Sequence, residues 1–401
     1  MGKYSDYKDE VQRIQQETGW GSRKIARKII REGNLTMDAE KFATAIRKNG
    51  WLKDSIVSES LHRNNLYPTD NWKVSWIKDK ETGTSTLIQN PDFDKENTIT
   101  LEDIEQVVEK LQLKKRKPQK KKKSGDFAFR GITADEHIGL EPNPNGEALF
   151  NYKYDAEIFK DCMNRYLESI VSLRDVYGRA EIIYIDCLGD TMDGWNAQTV
   201  RGGHTLPQNL TNKEAFELAV QTKVQFVDDL VQEDVADIIE IRTVTNDNHG
   251  GDFSWTVAKT VELICKRIYG DYVIFRNPTK FIEHFFYGEH CFMLCHGKDG
   301  ADRKRGLPLR LDDKTLRFIR SYMDYHHINA KYNHFDKGDL HTTGFDRTKL
   351  LNYRNYLAFS PPSKWVQNNF GDAVSGYATQ VVPKDSGEII HTDYFFEFDK
   401  I

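Results

Sequence analysis

Residues 181–193 read EIIYIDCLGDTMD, and this stretch decides the fold. Residues 181–187 are rich in Ile and Tyr, short, and closed by a Gly, which predicts a buried strand rather than a helix. Gly189 permits a tight turn directly after it. The turn leaves Asp190 at the strand's end, where α/β folds place their ligands, and a carboxylate there can bridge two cations. Helical periodicity over residues 156–173 and 213–231 flanks the strand, so the pattern is α/β.

The same texture recurs outward from this point. Strands are expected over 128–134, 237–245, 272–276 and 291–296, with a further helix over 254–269. Strands over 376–382 and 392–398 are expected to form a second sheet packed on the first. Polar residues follow the strands in an informative order. Asp135-Glu136-His137 comes first, a carboxylate and an imidazole two residues apart that strand alternation would turn to one side. Asp190 and Asp193 come next, then Asp247-Asn248-His249, His296, and finally Gly338-Asp339-Leu340-His341. Asp193 reads either as support for a ligand or as a turn residue.

In that order the motifs resemble the calcineurin-like metallophosphoesterase family, whose pattern runs D-x-H, G-D-x-x-D, G-N-H-D/E, H and G-H-x-H. The likeness covers roughly residues 127–359. With residues 199–203 (TVRGG) and the pair His296-Gly297, the layout looks most like the bacteriophage phosphoesterases, and less closely like the double-strand-break repair nucleases of that family. The resemblance implies a four-layer αββα sandwich with two divalent metal ions. Asp135, His137 and His341 would hold one metal, Asp190 would bridge, and Asn248 with His296 would hold the other. His249 would be the general acid.

Two departures stand out. Asp339 replaces a His, offering an oxygen ligand that favours Mn2+, or Mg2+, over softer ions. Gly250 replaces the acidic residue that would orient His249, a role that Asp247 or Asp252 is expected to take. His204 lies in a Gly-rich loop where it would touch substrate or solvent, and His284, His290, His326, His327 and His334 read as structural. Arg303, Lys304 and Arg305 would hold a phosphate backbone or coat a surface loop.

The rest of the chain has a different character. Residues 1–124 carry 26 Lys and Arg against 19 Asp and Glu, whereas the remainder carries 31 against 42. A basic part favours a polyanion, and an acidic part suits divalent cations. Short helices over 7–18, 22–32 and 38–48 resemble a helix-turn-helix unit. In the second, Arg23, Arg27 and Arg31 recur every fourth residue beside Lys24 and Lys28, and the third ends on Arg47-Lys48. These seven cations are the expected DNA contacts. Residues 72–89 read as a β-hairpin, residues 101–113 as a helix, and KKRKPQKKKK as a linker that attracts phosphates.

The expected organisation is a helix-turn-helix-like module over 1–66, a hairpin and helix over 67–113, a Lys-rich linker over 114–126, and a metallophosphoesterase domain over 127–401. No stretch approaches the roughly 18 apolar residues of a membrane-spanning helix, and the start of the sequence carries no visible leader. The five scattered cysteines read as reduced thiols, and with these features the location is expected to be cytoplasmic. The expected function is metal-dependent hydrolysis of phosphodiesters in DNA. The alternatives are a phosphatase or nucleotide phosphodiesterase, and a nucleic-acid-binding protein with a vestigial phosphoesterase fold. A second copy of the chain, or a phage or host protein, is a further expected partner.

Overall fold

The computed structural model describes residues 7–18, 22–33, 38–48, 74–78, 85–89, 99–111, 124–303 and 305–398. Two compact units divide the chain between Glu96 and Asn97. In the first unit, α1 (Lys8–Thr18), α2 (Ser22–Glu32) and α3 (Ala39–Lys48) bury Val11, Ile14, Ile25, Ile29, Phe42 and Ile46 together. These residues recur at helical spacing, so each helix gives one stripe to a small core. Lys24, Arg27 and Arg31 lie outside that stripe, exposed. The side chains of Arg23, Arg47 and Lys48 fall outside the described residues, as does the Lys-rich run over 112–123. Strands β1 (Val74–Lys78) and β2 (Ser85–Gln89) pair antiparallel as the hairpin reading expects.

The second unit opens with α4 (Leu101–Lys110), a helix capped by Thr100 and Asp103 in a reciprocal capping box. The sequence reading grouped this helix with the hairpin. It packs instead on the large unit, with Lys110 on Glu217 at 2.8 Å and Lys213 on Asp103 at 3.3 Å.

Thereafter the chain alternates. In order come β3 (Gly125–Thr133), α5 (Ala156–Tyr177), β4 (Ala180–Cys187), α6 (Asn212–Gln232), β5 (Ala236–Thr243), α7 (Asp252–Tyr269) and β6 (Val273–Arg276). Next are β7 (Glu283–Tyr287), β8 (His290–Cys295), α8 (Asp313–Tyr325), β9 (Tyr332–Lys337), β10 (Gly344–Arg347) and β11 (Asn352–Asn355). The chain closes with α9 (Lys364–Phe370), β12 (Gly376–Pro383) and β13 (Ile390–Phe395). Six strands form one sheet in the order β13-β12-β3-β4-β5-β6, and five form the other as β10-β11-β9-β8-β7. The parallel run β3-β4-β5-β6 is the α/β motif read from the sequence.

Strand alternation sorts the core into layers. Phe129, Ile183 and Ile239 face α5, α6 and α7, while Ala128, Ile182 and Tyr184 face Phe292 and Leu294 of the second sheet. On its far side the second sheet turns Cys291, Met293, Phe335 and Tyr353 toward Ile319 and Met323 of α8. The result is the expected helix–sheet–sheet–helix sandwich. One expectation fails: β12 and β13 extend the first sheet through pairing of β12 with β3, and the second sheet is built from residues 283–355. Sequence pattern gives strands but not partners, and β12 pairs across most of the domain's length.

The space between the sheets is not wholly apolar. Arg130 is fully buried there and donates to Asp186 at 2.7 and 2.9 Å, to Asp336 at 3.0 Å and to Gln380 at 2.9 Å, with its guanidinium 4.0 Å above the Phe292 ring. Arg242 pairs with Glu240 at 2.6 Å and with Asp186 at 3.4 Å. Beside them runs a histidine relay. Asn352 can only donate to His334 Nδ1 (3.2 Å) in this geometry, so His334 Nε2 donates to His290 Nδ1 (3.1 Å) and His290 Nε2 to the Ser386 carbonyl (2.9 Å).

Candidate metal centre

Each ligand-bearing motif sits just past the C-terminal end of a strand, where the chain must turn. Asp135, His137, Asp190, Asp339 and His341 all have positive φ, between 44° and 73°. Asp and His are among the few side chains that tolerate this region, and each such residue still costs about 1–3 kcal/mol of backbone strain. Strand alternation therefore does not place Asp135 and His137: β3 ends at Thr133, and two left-handed residues bring the pair to one side. Backbone bonds lock this turn to the next motif, from Asp135 N to the Gly189 carbonyl (3.0 Å) and from His137 N to that of Asp190 (2.9 Å). Gly189, at φ 100°, lies so close to His296 that a Cβ would meet its ring at 2.8 Å.

The seven residues expected to hold metal converge. Asp135 Oδ1 lies 3.8 Å from His341 Nε2 and 3.9 Å from His137 Nε2, while the two imidazoles face each other with their Nε2 atoms 3.3 Å apart. Asp190 Oδ2 lies 3.8 Å from His137 Nε2, 3.9 Å from His249 Nε2 and 3.1 Å from His296 Nε2. Around His296 Nε2 stand Asn248 Oδ1 at 3.1 Å and Asp339 Oδ1 at 3.9 Å. Three groups of ligand atoms result, Asp135/His137/His341, His137/Asp190/His249 and Asp135/Asp190/His296, each with its atoms within 4.8 Å of one another. They share members, as adjacent cation positions would. Asp135 Oδ1 and His341 Nδ1 find no hydrogen-bond partner among the described residues although both are buried. Nitrogen and oxygen donors with unused lone pairs fit borderline or hard divalent cations.

The supporting contacts fix the rings. His296 Nδ1 donates to the Leu188 carbonyl at 2.9 Å, which turns Nε2 toward Asp190 and Asn248. His249 Nδ1 meets the Asp193 carbonyl at 2.9 Å, and Asp193 Oδ1 lies 3.1 Å from His137 Nδ1 as an ion-pair contact without good hydrogen-bond alignment. Asp193 thus supports two imidazoles and is more than a turn residue. Neither residue expected to replace the missing acid at position 250 orients His249. Asp247 accepts from the backbone N–H groups of Asp190 (3.0 Å) and Gly251 (2.7 Å), and Asp252 opens α7. The orienting group is a backbone carbonyl, which no sequence motif can display.

Electrostatics follow from crowding. Burial, reinforced by Asp190, pushes Asp135 up to about 6, and the same causes push Asp247 up to about 6. Burial would raise Asp190 too, but His296 and His249 hold it well below the usual carboxylate range. Burial opposes protonation of His249, yet Asp190 and Asp193 outweigh it and hold the ring up at about 9.

The remaining sequence candidates fall elsewhere. Arg201 ties the loop after the second motif to Asp299 at 3.0 Å, and Val200 N meets the His249 carbonyl at 3.0 Å, so this loop walls the site. His204 is exposed on it. The Arg303 guanidinium lies between Phe281 (4.7 Å) and Phe318 (4.8 Å), and Lys304 lies outside the described residues. Cys291 and Cys295 are buried in β8, as read.

No family model matches the chain, and no curated protein matches it either. Solved structures give faint likenesses. Zinc-bound Vps29 from Entamoeba histolytica is 10% identical with a TM-score of 0.30, over 67% of this chain and 99% of that one. An archaeal phosphodiesterase is 10% identical with a TM-score of 0.31, over 66% and 99%. An uncharacterized protein from Streptococcus pneumoniae described as a predicted phosphoesterase is 10% identical with a TM-score of 0.23, over 68% and 100%. Likenesses this faint carry no argument, so the functional reading stands on the site's own geometry.

Proposed function

We propose that this chain is a metal-dependent phosphoester hydrolase of the calcineurin-like, bacteriophage-like type, and that its substrate is a phosphodiester in DNA. One observation carries the reading: ligand atoms from five separate turns converge into three overlapping groups that share Asp135, His137 and Asp190. Asp135, His137 and His341 would hold one divalent cation, and Asn248, His296 and Asp339 the other, with Asp190 between them. Bound Mn2+ or Mg2+ would polarise the phosphoryl oxygens and supply hydroxide from water at neutral pH.

The protein's own groups do the rest. His249, held by Asp193, presents Nε2 beside Asp190 and can carry a proton to the leaving oxygen. Lys24, Arg27 and Arg31 are exposed on α2, and with Lys28 they would hold the DNA backbone, assisted by Arg23, Arg47, Lys48 and the Lys-rich run. Such a role fits a phage enzyme working in host cytoplasm with phage or host partners.

The test is incubation of the chelator-stripped, Mn2+-loaded protein with bis-p-nitrophenyl phosphate and with single- and double-stranded DNA. Asp190→Asn should lose more than about 100-fold in turnover, because groups merely supporting metal ligands already account for about 10–100-fold. Turnover unchanged in that variant would sink the metal mechanism. Diester cleavage with intact DNA would sink only the DNA assignment.

A further inference from the structure

Between Asp135 and His137 a third side chain points the other way. Glu136 is 1% exposed and enters the interior between the first sheet and α5–α7, where Lys223 of α6 meets its carboxylate at 2.7 and 2.9 Å. Thr133 donates to the same carboxylate at 3.2 Å, and Tyr154 donates to the Glu136 carbonyl at 2.8 Å. A cavity of about 40 Å³ adjoins the pair, bordered by Thr133, Tyr166, Cys187 and Thr243. At roughly 10–15 Å³ each it has room for about three or four waters. The Tyr166 hydroxyl, 1% exposed, finds no partner among the described residues and can reach such water.

An ion pair in a setting that also includes Met163, Ile185 and Phe226 is not the most stable filling. Apolar side chains of like volume usually do as well or better. What the pair adds is direction. Residues on both sides of Glu136 are left-handed, at φ 53° and 44°, so the turn carrying two ligands is strained, and to its backbone bonds with Gly189 and Asp190 the pair adds a side-chain tie. A tie from the middle of that turn to the rigid helix α6 fixes its orientation.

We infer that Glu136 and Lys223 are positioning residues: their ion pair anchors the turn to α6 and so sets Asp135 and His137 at the spacing a divalent cation requires. The inference rests on the metal-site reading above. Nothing in the pair touches substrate.

The experiment is Mn2+ titration by calorimetry on the full chain, with melting of the EDTA-treated protein measured in parallel. Lys223→Met, and Lys223→Met combined with Glu136→Gln, should bind Mn2+ about 10–100-fold more weakly, the effect expected when a ligand's outer support is removed. Lys223→Arg, which keeps the charge and its hydrogen bonds, should restore binding to the wild-type level. The double variant leaves no lone buried charge, so its metal-free melting temperature should stay near wild type. A double variant with both wild-type melting and wild-type Mn2+ affinity would reduce the pair to interior packing and overturn the inference. So would a Lys223→Arg protein that binds as poorly as Lys223→Met. Wild-type protein that takes up no Mn2+ is a different result, since it overturns the metal reading itself and the inference with it.

Discussion

Two regions of this protein bury charge, and they do so on opposite terms. Between the sheets, Arg130 and Arg242 are matched by Asp186, Asp336 and Glu240, and each guanidinium nitrogen of Arg130 has an acceptor. At the strand ends, Asp135, Asp190, Asp193, Asp247 and Asp339 crowd around four imidazoles, and buried lone pairs are left over. The first region is complete as protein. The second asks for positive charge from outside, and the contrast separates a structural network from a functional one more cleanly than burial or pKa shift alone.

Neutralising a charge should therefore have opposite effects in the two places. Arg130→Met strands two buried carboxylates and should cost about 3–5 kcal/mol, read as a fall in the urea midpoint of the metal-free protein. Asp135→Asn should go the other way. Its carboxyl sits at about 6 against an ordinary 3.8, so at pH 7 the folded state holds an ionised group it would rather protonate. Removing it should stabilise the EDTA-treated protein by up to about 3 kcal/mol at pH 7, and the gain should shrink as pH falls through 6. The same variant should lose the rise in melting temperature that Mn2+ gives wild type, a stabilisation of about 2.7 kcal/mol at a hundredfold excess over Kd.

The smallest effect concerns the histidine relay. Burial, helped by His290 and Arg130, pushes His334 down to about 2, so it stays neutral when folded and takes up a proton only on unfolding. Stability from this group is complete above pH 6.5 and falls by up to about 1.4 kcal/mol per pH unit below it. His334→Gln should flatten the melting curve between pH 6.5 and 5. An unchanged slope would mean that the relay carries a proton in the folded state.

The parallel core was legible because its strands are continuous apolar runs that end in turn residues and carboxylates. Asp135, Asp190, Asn248 and His296 follow such runs, whereas Asp339 and His341 follow β9, which the pattern did not display; the ligand set as a whole was named from the order of motifs and their family resemblance. Of the second sheet only β8 was legible, since strands such as β9 (YNHFDK) and β11 (NYRN) bury polar residues that are satisfied by one another and by the first sheet. Their partners are remote in sequence, and Arg130 reaches Asp336 only once both sheets exist. Asp193 was readable as support for a ligand, but that its carbonyl holds His249 was hidden, because a carbonyl belongs to every residue and only the fold selects one.

The proposed metal ligands come from both sheets: Asp135, His137 and Asp190 follow strands of the first, and His296, Asp339 and His341 follow strands of the second. During synthesis the first three leave the ribosome well before β9 exists. A growing chain would thus carry crowded carboxylates with no imidazole from His341 to complete them, and it could not hold a cation firmly until its last third was made. Metal capture would then report that both halves of the sandwich have met, and an ion seated there would clasp the two sheets at their shared rim.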